Sequence, residues 1–122
     1  MLVDLGFDGV NFGNTSTDYK RYASLIFGHD KLLFEYFTSY FGGGLSGRLL
    51  KDRSLFINKN AANYLQTKKL SKEFYCIRTG GVSKFEDIID SKESGIFLNE
   101  WFVGFFDNFA EHGFHTYKKL FD

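Results

Sequence analysis

Apolar and polar residues fall in short alternating bursts along this chain, and clusters of glycine separate them. Val10–Phe12 and Phe74–Thr79 are short β-rich runs of the kind that fill buried strands. Gly95–Trp101, GIFLNEW, is the third strand candidate. Between them the pattern turns helical. Leu32–Phe41 is aromatic and fits helix or strand; Leu33, Phe37 and Tyr40 share a helical face, which favours helix. Tyr19-Lys20-Arg21 before it reads as a polar turn. Ser54 is placed as the N-cap of a helix from Leu55 to about Lys69, with Leu55, Ala62 and Leu65 as a partial apolar stripe. Ser83 and Glu86 have the S-x-x-E spacing of a capping box, so a helix is expected from Ser83 to about Asp90. Phe105 to Phe121 is the terminal helix, with Phe106, Phe109, Ala110 and Tyr117 on its apolar face. The order is β, loop, α, β, α, β, α, which argues for α/β architecture with a parallel sheet.

Composition narrows this reading. A chain of 122 residues allows one domain and a core of useful size. Fifteen basic residues balance fifteen acidic ones, so overall charge gives no support to a nucleic-acid partner. Sixteen phenylalanines and no proline point to a genome biased toward A/T codons. Met1–Leu5 is a short apolar-acidic lead, and Met1–Val10 lacks the basic start of a signal peptide. No window reaches the roughly 18 apolar residues of a membrane span, so taken alone the chain reads as soluble. Cys76, the single cysteine, is expected to be a buried core thiol.

The candidate chemistry sits where strands end. Gly80-Gly81 follows the Phe74 strand and precedes the Ser83 helix, a geometry that offers bare N–H groups and a helix N-terminus to an anion. An ordinary strand-to-helix turn remains the alternative. In parallel sheets functional groups gather at the carboxyl ends of strands. The other two ends carry Gly13-Asn14-Thr15 and Trp101-Phe102. Gly42-Gly43-Gly44-Leu45-Ser46-Gly47 implies flexibility or close backbone approach. The aromatic Asp18–Phe41 region is either a lid over a ligand or a connector packed on a barrel mouth. His112 and His115 lack a third ligand of suitable spacing, and Asp87, Asp90 and Glu93 read as a solvated helix face and its exit. No Ser/His/Asp arrangement supports a hydrolase.

Asp8-Gly9-Val10 to Asn14-Thr15, then GGLSG at Gly43–Gly47 with Arg48, Leu50, Asp52 and Ser54, then Gly80-Gly81-Val82-Ser83, together resemble the C-terminal part of dihydroorotate dehydrogenase. GGLSG and the Asn14-Thr15 run look most like the membrane-associated, quinone-using class. The resemblance implies a partial (β/α)8 TIM barrel, its last three β/α units, with residues 1–122 as the C-terminal segment of an FMN-binding domain. It implies oxidation of dihydroorotate to orotate in pyrimidine biosynthesis, with a quinone acceptor. Carried over by motif, Gly13 lies beside the flavin, Asn14 and Thr15 hydrogen-bond orotate, and Ser46 and Gly47 touch FMN. The backbone of Gly80 and Gly81 holds the FMN phosphate, completed by main-chain donors at Trp101 and Phe102. These last two stand where the family has a Tyr-Thr pair, and Leu49 stands where it often has proline. The family's catalytic serine and flavin-contacting lysine come from earlier strands, so this chain is expected to lack the base, with no catalytic residue assigned and no metal. The missing barrel part or self-association is needed to cover sheet edges. The alternative function is a non-catalytic phosphate- or nucleotide-binding half-barrel, or a degraded paralogue.

Overall fold

A computed structural model describes residues 2–121. Met1 and Asp122, the ends of the expected segment, lie outside the described residues. Three short parallel strands form one sheet in the order β1 (Gly9–Phe12), β2 (Tyr75–Thr79), β3 (Leu98–Glu100). Gly9 stands opposite Tyr75 and Phe12 opposite Arg78; Ile77 stands opposite Leu98 and Thr79 opposite Glu100. The helices are α1 (Tyr19–Tyr22), α2 (Gly28–Tyr40), α3 (Lys51–Gln66), α4 (Phe85–Glu93), α5 (Val103–His112) and α6 (Thr116–Phe121). The protein is therefore a mixed helix–strand fold around a small parallel sheet.

Strand side chains alternate between two faces, and only one face is covered. Cys76 of β2 packs with Ala62 and Ile96, flanked by Phe12, Leu55, Ala61 and Leu65. Cys76 is a buried thiol as expected, and burial pushes its pKa up, which keeps it inert. On the opposite face Asn11, Tyr75, Leu98 and Glu100 are exposed. An isolated-chain sheet of this kind carries two unpaired edges.

Several expected boundaries move, each for a local reason. Tyr19-Lys20-Arg21 forms the helical turn α1 instead of a polar turn, because Tyr22 is drawn inward to 3% exposure. Helix α2 exists but starts at Gly28, and its expected face is not a core face: Leu33, Phe37 and Tyr40 are exposed, and none of its residues is buried. Its rings pack on each other instead, Tyr36 against Phe37, Tyr40 and Phe41. Ser54 is not an N-cap. Helix α3 already runs from Lys51 after a 3-10 turn at Gly47–Leu50, and Ser54 is buried inside it. The terminal helix breaks at Gly113, whose φ of 56° ends α5, so α6 is a separate piece. Phe106, Phe109, Ala110 and Tyr117 face solvent; Gly104, Thr116 and Leu120 are the buried positions.

Candidate functional site

Beneath the Gly80-Gly81 turn lies a charged network that sequence reasoning did not find. Arg78 points to the covered face of β2 and is fully buried. Its Nε donates to Ser54 Oγ at 3.0 Å. Its Nη1 donates to Ser91 Oγ at 2.8 Å and to the Asp87 carbonyl at 3.0 Å, and its Nη2 to the Lys51 carbonyl at 3.1 Å. One guanidinium thus ties β2 to the first turn of α3 and to α4. Burial pulls its pKa down from the ordinary guanidinium value, against the pull of Asp87, Asp90 and Asp52.

Asp87 is the counterweight, and it corrects two expectations. It is fully buried rather than part of a solvated face, and it replaces Glu86 as the capping acid. Helix α4 begins at Phe85, two residues later than expected, with Lys84 in place of Ser83 at the cap position. Asp87 Oδ2 accepts from the N–H groups of Ser83 at 2.9 Å and Lys84 at 3.1 Å, while Glu86 faces solvent. Its Oδ1 lies 2.5 Å from Lys51 Nζ. Burial pushes the Asp87 carboxyl up, but Lys51 and the two N–H groups outweigh that and hold it below the ordinary carboxylate value. The hydrogen bond to Asp87 raises the Lys51 ammonium in turn. The consequence for ligand binding is direct. The N-terminus of α4, expected to face an anion, is already filled by the protein's own carboxylate.

The network also aims the glycine turn. Ser54 Oγ lies 2.6 Å from the Gly80 carbonyl oxygen, within reach to donate to it. The Gly80 C=O and the Gly81 N–H belong to one trans peptide plane and point in opposite directions. Pinning the carbonyl on Ser54 therefore turns the Gly81 N–H away from α3. Gly81 has φ +76°, and a Cβ there would lie 2.3 Å from the Lys51 backbone nitrogen. Glycine is required here by the approach of α3, whatever binds in front of it. The Gly-rich loop obeys the same logic: a Cβ on Gly44 would lie 1.8 Å from Thr15 Oγ1, and Ser16 and Leu45 exchange both backbone hydrogen bonds at 2.9 and 2.8 Å. Small residues let these loops cross closely and form a rim.

That rim encloses a cavity of about 590 Å³ at the carboxyl ends of the three strands. Its lining includes eight of the nine expected site residues: Asn14, Thr15, Ser46, Gly47, Gly80, Gly81, Trp101 and Phe102. Gly13 is the exception. Its Cβ position lies 2.7 Å from the Thr79 carbonyl oxygen, and it lines a neighbouring cavity of about 390 Å³ with Arg53 and Ser54. Thr79, Val82, Glu100, Val103 and Gly104 line the 590 Å³ cavity as well and were not anticipated. No residue of α2 lines it; α2 borders an adjoining groove with residues 42–46, and Ser46 lines both.

The open helix N-terminus in this cavity belongs to α5. Phe102 at its cap makes no side-chain capping bond, and the N–H groups of Val103 and Gly104 have no protein acceptor among the described residues. The Gly81 and Val82 N–H groups are likewise without one. Unpaired donors at a helix start and a glycine turn are the usual equipment for an anion. If Ser54 aims this turn, Ser54→Ala costs about 1–2 kcal/mol in denaturant unfolding and weakens anion binding about tenfold. Unchanged anion affinity in the folded variant would show that Ser54 does not orient the turn.

Among the described residues no helix is long and apolar enough to cross a membrane. Comparison with known proteins finds no family model that matches this chain, and no curated protein matches it significantly.

Proposed function

We propose that the three β/α units are the closing portion of a (β/α)8 barrel and that the cavity at their strand ends holds the phosphate end of FMN, as part of a flavin oxidoreductase of the dihydroorotate dehydrogenase type. One observation carries this reading: residues nominated from four separated stretches converge on one cavity at the carboxyl ends of parallel strands. That is where barrel enzymes place their chemistry. The orphaned N–H groups fit a phosphate, and a cavity of this size suits a cofactor. In this assignment the Gly81 and Val82 amides and the head of α5 grip the phosphate. Ser46 and Gly47 border the flavin, and Asn14 and Thr15 orient the dihydroorotate ring. FMN, when bound, supplies the two-electron carrier between substrate and quinone. Trp101 and Phe102 keep their main-chain donors, so the cup loses only a hydroxyl relative to the family pattern. The membrane association of the quinone-using class comes with this proposal.

A second reading, a non-catalytic phosphate- or nucleotide-binding half-barrel, is favoured by a specific feature of the lining. It includes no lysine, arginine or histidine side chain. Such a cavity holds phosphate through amides alone and has no cationic group to stabilise developing charge.

Flavin fluorescence tests the binding claim. FMN fluorescence is expected to fall on titration with the 122-residue chain, with riboflavin, which lacks the phosphate, binding at least about tenfold more weakly. Equal affinity for the two, or no quenching at high micromolar protein, contradicts the phosphate assignment. Assayed with dihydroorotate and a quinone or dye acceptor, the chain by itself is expected to show no turnover. Measurable turnover would show that a base is present after all.

A further inference from the structure

On the open face of the sheet, one residue from each strand joins a single hydrogen-bonded cluster: Asn11 of β1, Thr79 of β2 and Glu100 of β3. Asn11 Nδ2 donates to Glu100 Oε2 at 2.9 Å. Thr79 Oγ1 lies within hydrogen-bond reach of that same oxygen and of Asn11 Oδ1. Asn11 therefore engages Oε2, and Thr79, with one hydroxyl hydrogen for two acceptors, closes the cluster on the same side. Glu100 Oε1 accepts from no described residue, and no described cation pairs with the carboxylate. Thr79 and Glu100 both line the 590 Å³ cavity. A carboxylate held by two strands, with one oxygen free, is an acceptor of fixed direction. It stands one residue before Trp101 and three before Val103, close along the chain to the anion-seeking end of the cavity.

A carboxylate there repels a phosphate rather than holding it, so its partner is a donor attached to the phosphate-bearing molecule. The groups covalently nearest a phosphate ester in a sugar or polyol are hydroxyls, and a hydroxyl can donate to Glu100 while the phosphate meets the amides. We propose that Glu100, positioned by Asn11 and Thr79, is a specificity-determining residue that accepts a hydrogen bond from a hydroxyl of the ligand's polyol or sugar chain. It selects phosphate monoesters of polyols over bare phosphate. This deepens the phosphate-site reading and rests on it.

The test uses the full chain in EDTA, with FMN, inorganic phosphate, and a flavin whose ribityl phosphate is replaced by a pentyl phosphate lacking the three hydroxyls. The wild type is expected to bind FMN at least about tenfold tighter than the pentyl analogue, the gain of a hydrogen bond to a charged acceptor. Glu100→Leu should bring that preference below about twofold. Inorganic phosphate should bind Glu100→Leu at least as tightly as wild type, since a like charge is gone. Should the leucine variant fail to fold, Glu100→Gln keeps the shape with a weaker neutral acceptor, and the preference should drop at least about threefold. A wild-type preference below twofold, or one unchanged by substitution at Glu100, overturns the inference while leaving the phosphate site standing. A preference that appears only when magnesium replaces EDTA also overturns it, because a bridging cation then does the selecting. Binding of neither FMN nor phosphate by the wild type sinks the phosphate-site reading, and this inference with it.

Discussion

Replacing Asp87 with alanine is expected to cost about 3–5 kcal/mol, the largest loss of any single substitution away from the apolar core. Asp87 is fully buried, neutralises Lys51 at 2.5 Å, and caps α4 through Ser83 and Lys84. Its removal orphans two backbone donors and leaves Arg78 buried without the acidic group that acts on it most strongly. Small domains have about 5–15 kcal/mol in total, so the variant should sit near the edge of folding. Urea unfolding reads this directly; a loss below about 1 kcal/mol would mean that the network is not structural. The same network sets a pH dependence. A carboxyl held below its ordinary value contributes fully above the ordinary carboxylate range and loses that contribution as pH falls through its folded value. An ammonium held above its ordinary value contributes below that value and loses its share as pH rises through the folded one. Stability should therefore fall at both the acidic and the strongly alkaline ends, and Asp87→Asn should flatten the acidic limb.

Gly81→Ala is expected to cost about 2–5 kcal/mol and to abolish FMN binding in the molecules that remain folded. Two penalties add: an alanine at φ +76°, and a Cβ 2.3 Å from the Lys51 backbone nitrogen, which no rotamer change can relieve. Gly43→Ala separates them. Gly43 has φ +96° but nothing within 4 Å of its Cβ position, so only the backbone strain of about 1–2 kcal/mol remains. Equal losses at the two positions, measured in the same denaturant series, would show that the approach of α3 does not demand the glycine.

The three strands were readable because each is a short β-rich or alternating run bounded by glycine or an aromatic end, and parallel order followed from the intervening helical segments. Much of the cavity's lining was readable for a related reason: glycines and small polar residues stand where strands stop. What sequence could not show was which helix start is open. Ser83 and Glu86 have the right spacing for a cap, yet the shorter Asp87 reaches back to the same amides, and only the positions of Lys51 and Arg78 make its burial tolerable. Ser54 fits a cap in sequence because a capping hydroxyl and a buried relay hydroxyl look identical in one dimension. The aromatic stripe on the last helix misled because Gly104 and Asn108 make the inward contacts there; Asn108 Nδ2 donates to the Ser83 carbonyl at 3.0 Å. Gly113 did carry a legible break signal. Glu100 was not legible, because an acid at a strand's carboxyl end gains meaning only beside Asn11 and Thr79.

In the proposed site, amides of the glycine turn and of α5, and not those of α4, receive the phosphate. Titrating FMN into ¹⁵N-labelled protein and following backbone amide resonances tests it most directly. The expected result is large, saturable shifts at Gly81, Val82, Val103 and Gly104, with Ser83 and Lys84 scarcely moved because Asp87 already occupies them. Shifts centred on Ser83 and Lys84, or none at the head of α5, would contradict it.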